Sequence, residues 1–191
     1  MPVKDIRFDY FQVYCKHYDK EKDEVSFLIF DLEPILEQAA RLDAVQRTYQ
    51  YYDEESRLQK VFPDNLNGTR IWGMQFLRIR KNLIPGIATD DGAYEPLELR
   101  EGEYIGEEAS ALYDPQYSVL MLQRNRNSLS PTGIEAFFNK AWEEHTIQLR
   151  PIILPEDYIQ FTEDDFYRCI TVSFADVKTS QINGRSSLMK L

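Results

Sequence analysis

Val119-Leu120-Met121-Leu122 decides the fold, together with the Asp114-Pro115 turn before it and Gln123-Arg124-Asn125-Arg126-Asn127 after it. Four apolar residues in a row, closed off by turn and loop signals, read as a buried strand. Ser128-Leu129-Ser130-Pro131-Thr132-Gly133 comes next and opens a helix. Ser130 is a good N-cap, and Pro131 falls at the first helical position, where a missing N–H costs nothing. Leu129 and Ile134 stand where a hydrophobic staple is made. Ile134, Phe137, Phe138, Ala141 and Trp142 recur at i, i+3, i+4, i+7 and i+8 as one apolar stripe. Glu135, Asn139, Lys140, Glu143 and Glu144 take the other side, so a helix over 131–144 is predicted to lie on the sheet that holds the strand.

Upstream of that centre, residues 104–113 form the strand that Asp114-Pro115 joins to it, after a short strand over 97–100 and a turn at Glu101-Gly102. Residues 82–96 hold two Pro, two Gly and Asp90-Asp91, which reads as a long surface loop. Residues 69–81 alternate strictly: Trp72, Met74, Phe76, Arg78 and Arg80 share one face, and Ile71, Gly73, Gln75, Leu77 and Ile79 share the other. Residues 47–52 and 58–62 read as two strands turning at Asp53 to Ser56, or as an extension of a helix, and precede a loop over 63–68. At the start, residues 6–15 and 25–30 form a hairpin with a long charged loop. Asp31 then caps a helix over 32–45 whose buried face is Leu32, Ile35, Leu36, Ala39 and Leu42.

Beyond the central helix, residues 147–154 form a strand that Pro151 confines to a sheet edge or a bulge, because proline cannot donate to a ladder. Ile152, Ile153 and Leu154 keep that edge apolar, which calls for a partner to cover it. A last strand over 167–175 alternates cleanly, with Ile170, Val172 and Phe174 on one side. The expected fold is α+β: a mostly antiparallel sheet with two main helices packed on one face. Residues 1–177 make one domain, and residues 178–191 are either a polar tail or the start of a truncated C-terminal segment.

The 191 residues suffice for one well-buried core, and 12 Tyr with 11 Phe supply ample apolar area. A net charge of −10 argues against non-specific binding to duplex nucleic acid, which needs clustered Lys and Arg. Cys15 and Cys169 are far apart and form no CxxC, which suits reduced thiols in a cytoplasmic protein better than a disulfide framework. The N-terminal residues lack the apolar core of a signal peptide, and no run approaches the ~18 apolar residues of a membrane span.

Several stretches together carry a family resemblance. They are Trp72-Gly73-Met74-Gln75-Phe76-Leu77-Arg78-Ile79-Arg80, Glu103-Tyr104-Ile105-Gly106-Glu107, Leu112-Tyr113-Asp114, the run from Val119 to Arg126, and Leu129-Ser130-Pro131-Thr132-Gly133-Ile134. From the first strand to Ala175 the chain resembles a family of bacterial and phage proteins of unknown function. The resemblance implies an association with antiphage defence and a longer parent chain. It implies no reaction and no catalytic residues.

The residues themselves offer little chemistry. Cys15 and His17 share a strand face without a third orienting group, and no G-x-S-x-G elbow is present, so a packed cysteine and a surface histidine are the simpler reading. His145 at the end of the central helix reads as a cation favoured by the helix C-terminus. Two His and two Cys so dispersed do not make a zinc site, and neither a phosphate loop nor a dinucleotide fingerprint occurs. Asp164-Asp165 and Asp176-Val177-Lys178 superficially match the carboxylates and D-x-K of restriction-type nucleases. One continuous strand between them would hold them roughly 35 Å apart, at ~3.3 Å per residue, whereas a shared metal needs both within ~2–2.5 Å. No catalytic residue, metal or cofactor is expected.

The basic loop remains. Arg124 and Arg126 stand between a strand and a helix N-terminus, where unpaired N–H groups and the helix dipole favour an anion. Asn125, Ser128 and Ser130 add polar groups, and Arg78, Arg80 and Lys81 join the patch if their strand is a neighbour. The plainer reading pairs these cations with Glu103, Glu107 and Glu108. Two functions follow. One is a non-catalytic binding module in a larger assembly, a homo-oligomer or a heteromer, with phosphate or nucleic acid as candidate ligand and no membrane. The other is a nucleic-acid-processing enzyme whose catalytic residues are unrecognised or lie outside this chain.

Overall fold

In the computed structural model, residues 6–19 and 23–153 are described. The chain runs β1 (Phe8–Asp19), β2 (Glu24–Ile29), α1 (Glu33–Ala40), β3 (Thr48–Tyr51), β4 (Glu54–Leu66), β5 (Thr69–Arg80), β6 (Gly86–Ala88), β7 (Tyr94–Pro96), β8 (Ile105–Asp114), β9 (Val119–Gln123), α2 (Pro131–Ala141) and β10 (Ile147–Pro151). One antiparallel sheet has the order β10-β1-β9-β8-β5-β4-β3, with β2 also paired to β1; β6 and β7 form a separate small hairpin. The architecture is α+β. Among the described residues, no helix is long and apolar enough to cross a membrane.

Register explains which residues reach the core. Trp72 pairs with Tyr113, Tyr113 with Leu120, and Leu120 with Phe11, so these side chains share one face. Met74, Ala111 and Leu122 make the next row. This face forms a single core cluster with Leu32, Ile35, Leu36 and Ala39 from the α1 region and Ile134, Phe137 and Phe138 of α2. Phe76, Phe137 and Phe138 meet edge-on at 5.4–6.0 Å, and Phe137 also meets Tyr49 at 5.3 Å. Such T-shaped contacts set the positive ring edge against the negative face.

Both helices are shorter than their apolar periodicity suggests. Asp31 accepts from Glu33 N–H at 2.9 Å, but it stands one residue before the N-cap, which is Leu32 and has no side-chain cap bond, and α1 ends at Ala40. Residues 41–47 turn instead, where Asp43 and Gln46 exchange backbone N–H bonds at 2.9 and 3.0 Å. Buried Arg47 reaches back to the Ala39 carbonyl at 3.4 Å, a cation at the helix C-terminus. Helix α2 begins as predicted, with Ser130 Oγ accepting from Gly133 N–H. It stops at Ala141 because Asn139 binds both the N–H and the carbonyl of Ile147 and draws the chain back into β10. Trp142 is therefore only half-buried, with its Nε1 donating to Gln38 at 3.1 Å, and His145 lies against the Phe30 ring. Trp142→Ala should accordingly cost about 1–2 kcal/mol in urea titration, less than a core cavity does; a loss above ~3 kcal/mol would show the indole acting as core.

Other boundaries shift for local reasons. The hairpin of β1 and β2 runs to the pair Asp19 and Glu24, so His17 and Tyr18 are strand rather than loop. Glu54, Glu55 and Ser56 belong to β4, with the turn made at Tyr52-Asp53. The expected loop over 63–68 is mostly strand. β4 continues to Leu66 and turns at Asn67-Gly68, both with positive φ (52° and 87°), as a tight hairpin turn requires. Pro63 is tolerated there because β3 pairs only with Glu54 to Arg57, leaving that side of β4 open. Residues 97–100 form no strand, and the long loop before them contains the β6–β7 hairpin. Among the described residues β10 ends the sheet, in keeping with Pro151. The expected strand over 167–175, Leu154 and the boundary at residue 177 lie outside the described residues.

Candidate functional site

The sheet brings five of the proposed anion-site residues together. Arg124, Asn125, Arg126, Ser128 and Ser130 line a pocket of about 350 Å³ with Asp9, Leu122, Gln123, Leu129 and Pro131. β9 pairs with the start of β1, which sets Asp9 opposite Leu122 on the core face. Arg124 N–H donates to the Arg7 carbonyl at 2.8 Å, and its guanidinium grips Asp9 through two bonds of 2.9 Å each. The hydrogen bonds that it donates to Asp9, then the Asp9 charge, hold the Arg124 guanidinium pKa above its ordinary value.

The rest of the loop is built by side chains that bind backbone. Asn125 donates to the Glu108 carbonyl at 2.7 Å and accepts from Asn127 N–H at 3.1 Å. Ser128, buried, donates to the Glu107 carbonyl at 2.7 Å. These bonds clamp the loop to the start of β8, so the walls of the pocket are set by the sheet. The helix N-terminus has less to offer than its position suggests. Pro131 has no N–H and Ser130 takes that of Gly133, leaving Thr132 N–H in the first turn. Arg126 is exposed and makes no ion pair among the described residues. Among the described residues the pocket therefore carries Asp9 and Arg124 as a neutral pair, with Arg126 as surplus positive charge.

Arg78, Arg80 and Lys81 are not in this pocket. β8 lies between β5 and β9, so the two strands are not neighbours. Arg78 is paired with buried Glu54, Lys81 with Glu55 at 2.6 Å, and Arg80 with Glu107 at 3.7 Å. Glu108 accepts from Gln75, and Glu103 lies 3.9 Å from Arg100. The plainer expectation thus holds for Arg80 with Glu107, while Arg124 takes a partner from the far end of the chain. Asp9 was missed by sequence reasoning. Its alternation with Phe11 and Val13 puts a carboxylate on the core side of a strand, a position that demands a cation.

For chemistry, Cys15 is partly buried with its thiol 3.6 Å from the Lys16 carbonyl, and His17 is exposed. Among the described residues, no three His, Cys, Asp or Glu side chains converge on a metal-sized space. Asp164, Asp165, Asp176, Lys178 and Cys169 lie outside the described residues. No curated protein and no solved structure matches the chain. The model of one family matches residues 1–191, and by that match the chain belongs to the Family of unknown function (DUF6731).

Proposed function

We propose that this chain is a non-catalytic binding module of a larger assembly, and that the pocket beside Ser130 takes an anionic group such as the phosphate of a nucleic acid. The observation that carries the reading is the pocket wall itself: two guanidinium groups and an asparagine, clamped to the sheet, beside the N-terminus of α2. Arg126 supplies the uncompensated charge. Arg124, aligned by Asp9, keeps N–H groups that an anion can share. We further infer that both helices cover the same face of the sheet, that the assembly works in the cytoplasm, and that it serves antiphage defence; the last rests on the family resemblance.

Arg126→Ala is the cleaner probe, because Arg124→Ala would also strip Asp9 of its partner and lower stability. Fluorescence anisotropy with a single-stranded oligonucleotide should show wild-type affinity falling with salt. Arg126→Ala should bind more weakly and lower the slope of log affinity against log salt by about 0.7, one phosphate contact on a single strand. Its melting curve should match the wild type. Absence of wild-type binding at ~50 mM salt, or a slope that the substitution leaves alone, would sink the proposal. Metal-dependent cleavage of the oligonucleotide would favour the processing-enzyme reading instead.

A further inference from the structure

The second face of the sheet is not built for water. Sheets that expose one face alternate apolar and polar residues, yet Val119-Leu120-Met121-Leu122 is apolar throughout. Leu120 and Leu122 are buried in the core, which turns Val119 and Met121 to the opposite face. Register extends that face into a stripe crossing five strands: Phe62 opposite Gly73, Gly73 opposite Leu112, Leu112 opposite Met121, and Met121 opposite Tyr10. Tyr10 is 51% exposed, Phe62 48% and Leu112 37%. Phe62 leans over Gly73 so closely that a Cβ there would stand 2.5 Å from its ring.

We infer that this stripe is the contact surface between two copies of the chain, packed face to face about a two-fold axis parallel to the strands. Charge supports that occupant. A protein of net charge −10 repels its own copy over most of its surface. The row beside the stripe, however, has an acid at one edge and a base at the other, with Asp114 between them where β8 ends. It begins at Asp64 opposite Ile71 on β4 and β5, passes Asp114 opposite Val119, and ends at Gln12 opposite Arg150 on β1 and β10. The proposed axis reverses the order of strands in the second copy, so Asp64 of each protomer meets Arg150 of the other, and Leu112 meets Met121. Arg150 is held upright on this face between the rings of Tyr14 at 4.4 Å and Phe27 at 4.7 Å.

Size is adequate as well. With a third row through Lys60, Gln75 and Ser110 and through Gln123 and Phe8, five strands ~4.8 Å apart and three rows of side chains cover ~24 Å by ~20 Å, so two copies would bury on the order of 1,000 Å², the least that a specific interface needs. Aligned packing of two sheets is an established arrangement. The inference rests on this face alone and is independent of the arginine pocket.

Light scattering coupled to size exclusion, with sedimentation equilibrium on the full chain, tests it. The wild type should be a dimer at micromolar concentration. Met121→Asp should weaken it at least ~100-fold, since it sets a carboxylate of each copy against Leu112 of the other within the apolar stripe. Asp64→Arg and Arg150→Asp should each weaken it roughly 10-fold, and the two together should restore it to within about 3-fold of wild type. Asp64 and Arg150 are not core residues, so the charge exchange remains decisive even if Met121→Asp fails to fold. A wild type that stays monomeric at high micromolar concentration would overturn the inference. So would a dimer that a folded Met121→Asp leaves intact, or an exchange variant no tighter than the single variants.

Discussion

Phe137→Ala should lower the unfolding free energy by about 3–5 kcal/mol, the largest loss expected from any single truncation in α2. Phe137 is 1% exposed and its ring touches those of Tyr49, Phe76 and Phe138 edge-on. Removing it deletes the transfer term of a whole ring and three aromatic contacts. It also leaves a cavity that β3, β5 and the remainder of α2 cannot close, since each is fixed by its own ladder or cap. Neighbouring Glu135 donates nothing to this core but accepts from Leu149 N–H at 2.6 Å, tying α2 to β10. Loss of the ring should therefore loosen that edge too, and amide exchange in β10 should quicken along with the shift in urea midpoint. A loss below about 1 kcal/mol would mean that the helix is not what covers Phe76.

How much of this was legible in the sequence differs from element to element. The entry to α2 was readable in full, because Ser130, Pro131 and Gly133 act within one turn and need no distant partner. Its exit was not, because the end is set by Asn139 binding Ile147, a contact between side chain and returning chain that no periodicity encodes. Asn67-Gly68 is a strong hairpin signal, but the neighbouring Pro63 and Asp64 disguised the strand leading into it. Only the knowledge that β3 stops short makes a proline there acceptable. Val119 to Leu122 was read correctly as a strand. Its unbroken apolarity meant something else: one face in the core and the other face apolar at the surface. The candidate pocket was legible as a local cluster, Arg124 to Ser130, since these residues follow one another along one loop. The partner of Arg124 was not, because Asp9 reaches it through the pairing of β1 with β9, across 115 positions of sequence. Arg78 and Arg80 share the expected strand face, but whether they join the pocket depended on β5 neighbouring β9, which only strand order decides.

Tyr113→Phe should cost about 2–3 kcal/mol at neutral pH, although it removes a single oxygen. Tyr113 is fully buried, and its hydroxyl does two things at once. It accepts from Leu32 N–H at 2.8 Å and donates to Asp31 Oδ1 at 2.8 Å, the same carboxylate that accepts from Glu33 N–H. The phenol thus joins the end of β8 to the N-terminus of α1. Phenylalanine fills the same space but leaves the Leu32 N–H buried without a partner, and such a group costs more than its hydrogen bond contributes. Alkali separates this from a packing effect. Burial, more than the adjacent Asp31 carboxylate, raises the Tyr113 hydroxyl far above its ordinary value. The unfolded chain releases that proton near pH ~10, while the folded chain keeps it. Between those limits the unfolded state binds fewer protons, so stability falls as pH rises, by about 1.4 kcal/mol per unit for this group. Its full contribution is present below pH ~9. The wild type should accordingly lose about 1.4 kcal/mol more than Tyr113→Phe on going from pH ~8 to pH ~11, and the gap between them should roughly halve. Urea titrations of both proteins across that range measure it. A gap that stays constant would show that the hydroxyl is not buried as a donor to Asp31, and the junction of β8 with α1 would then rest on packing alone.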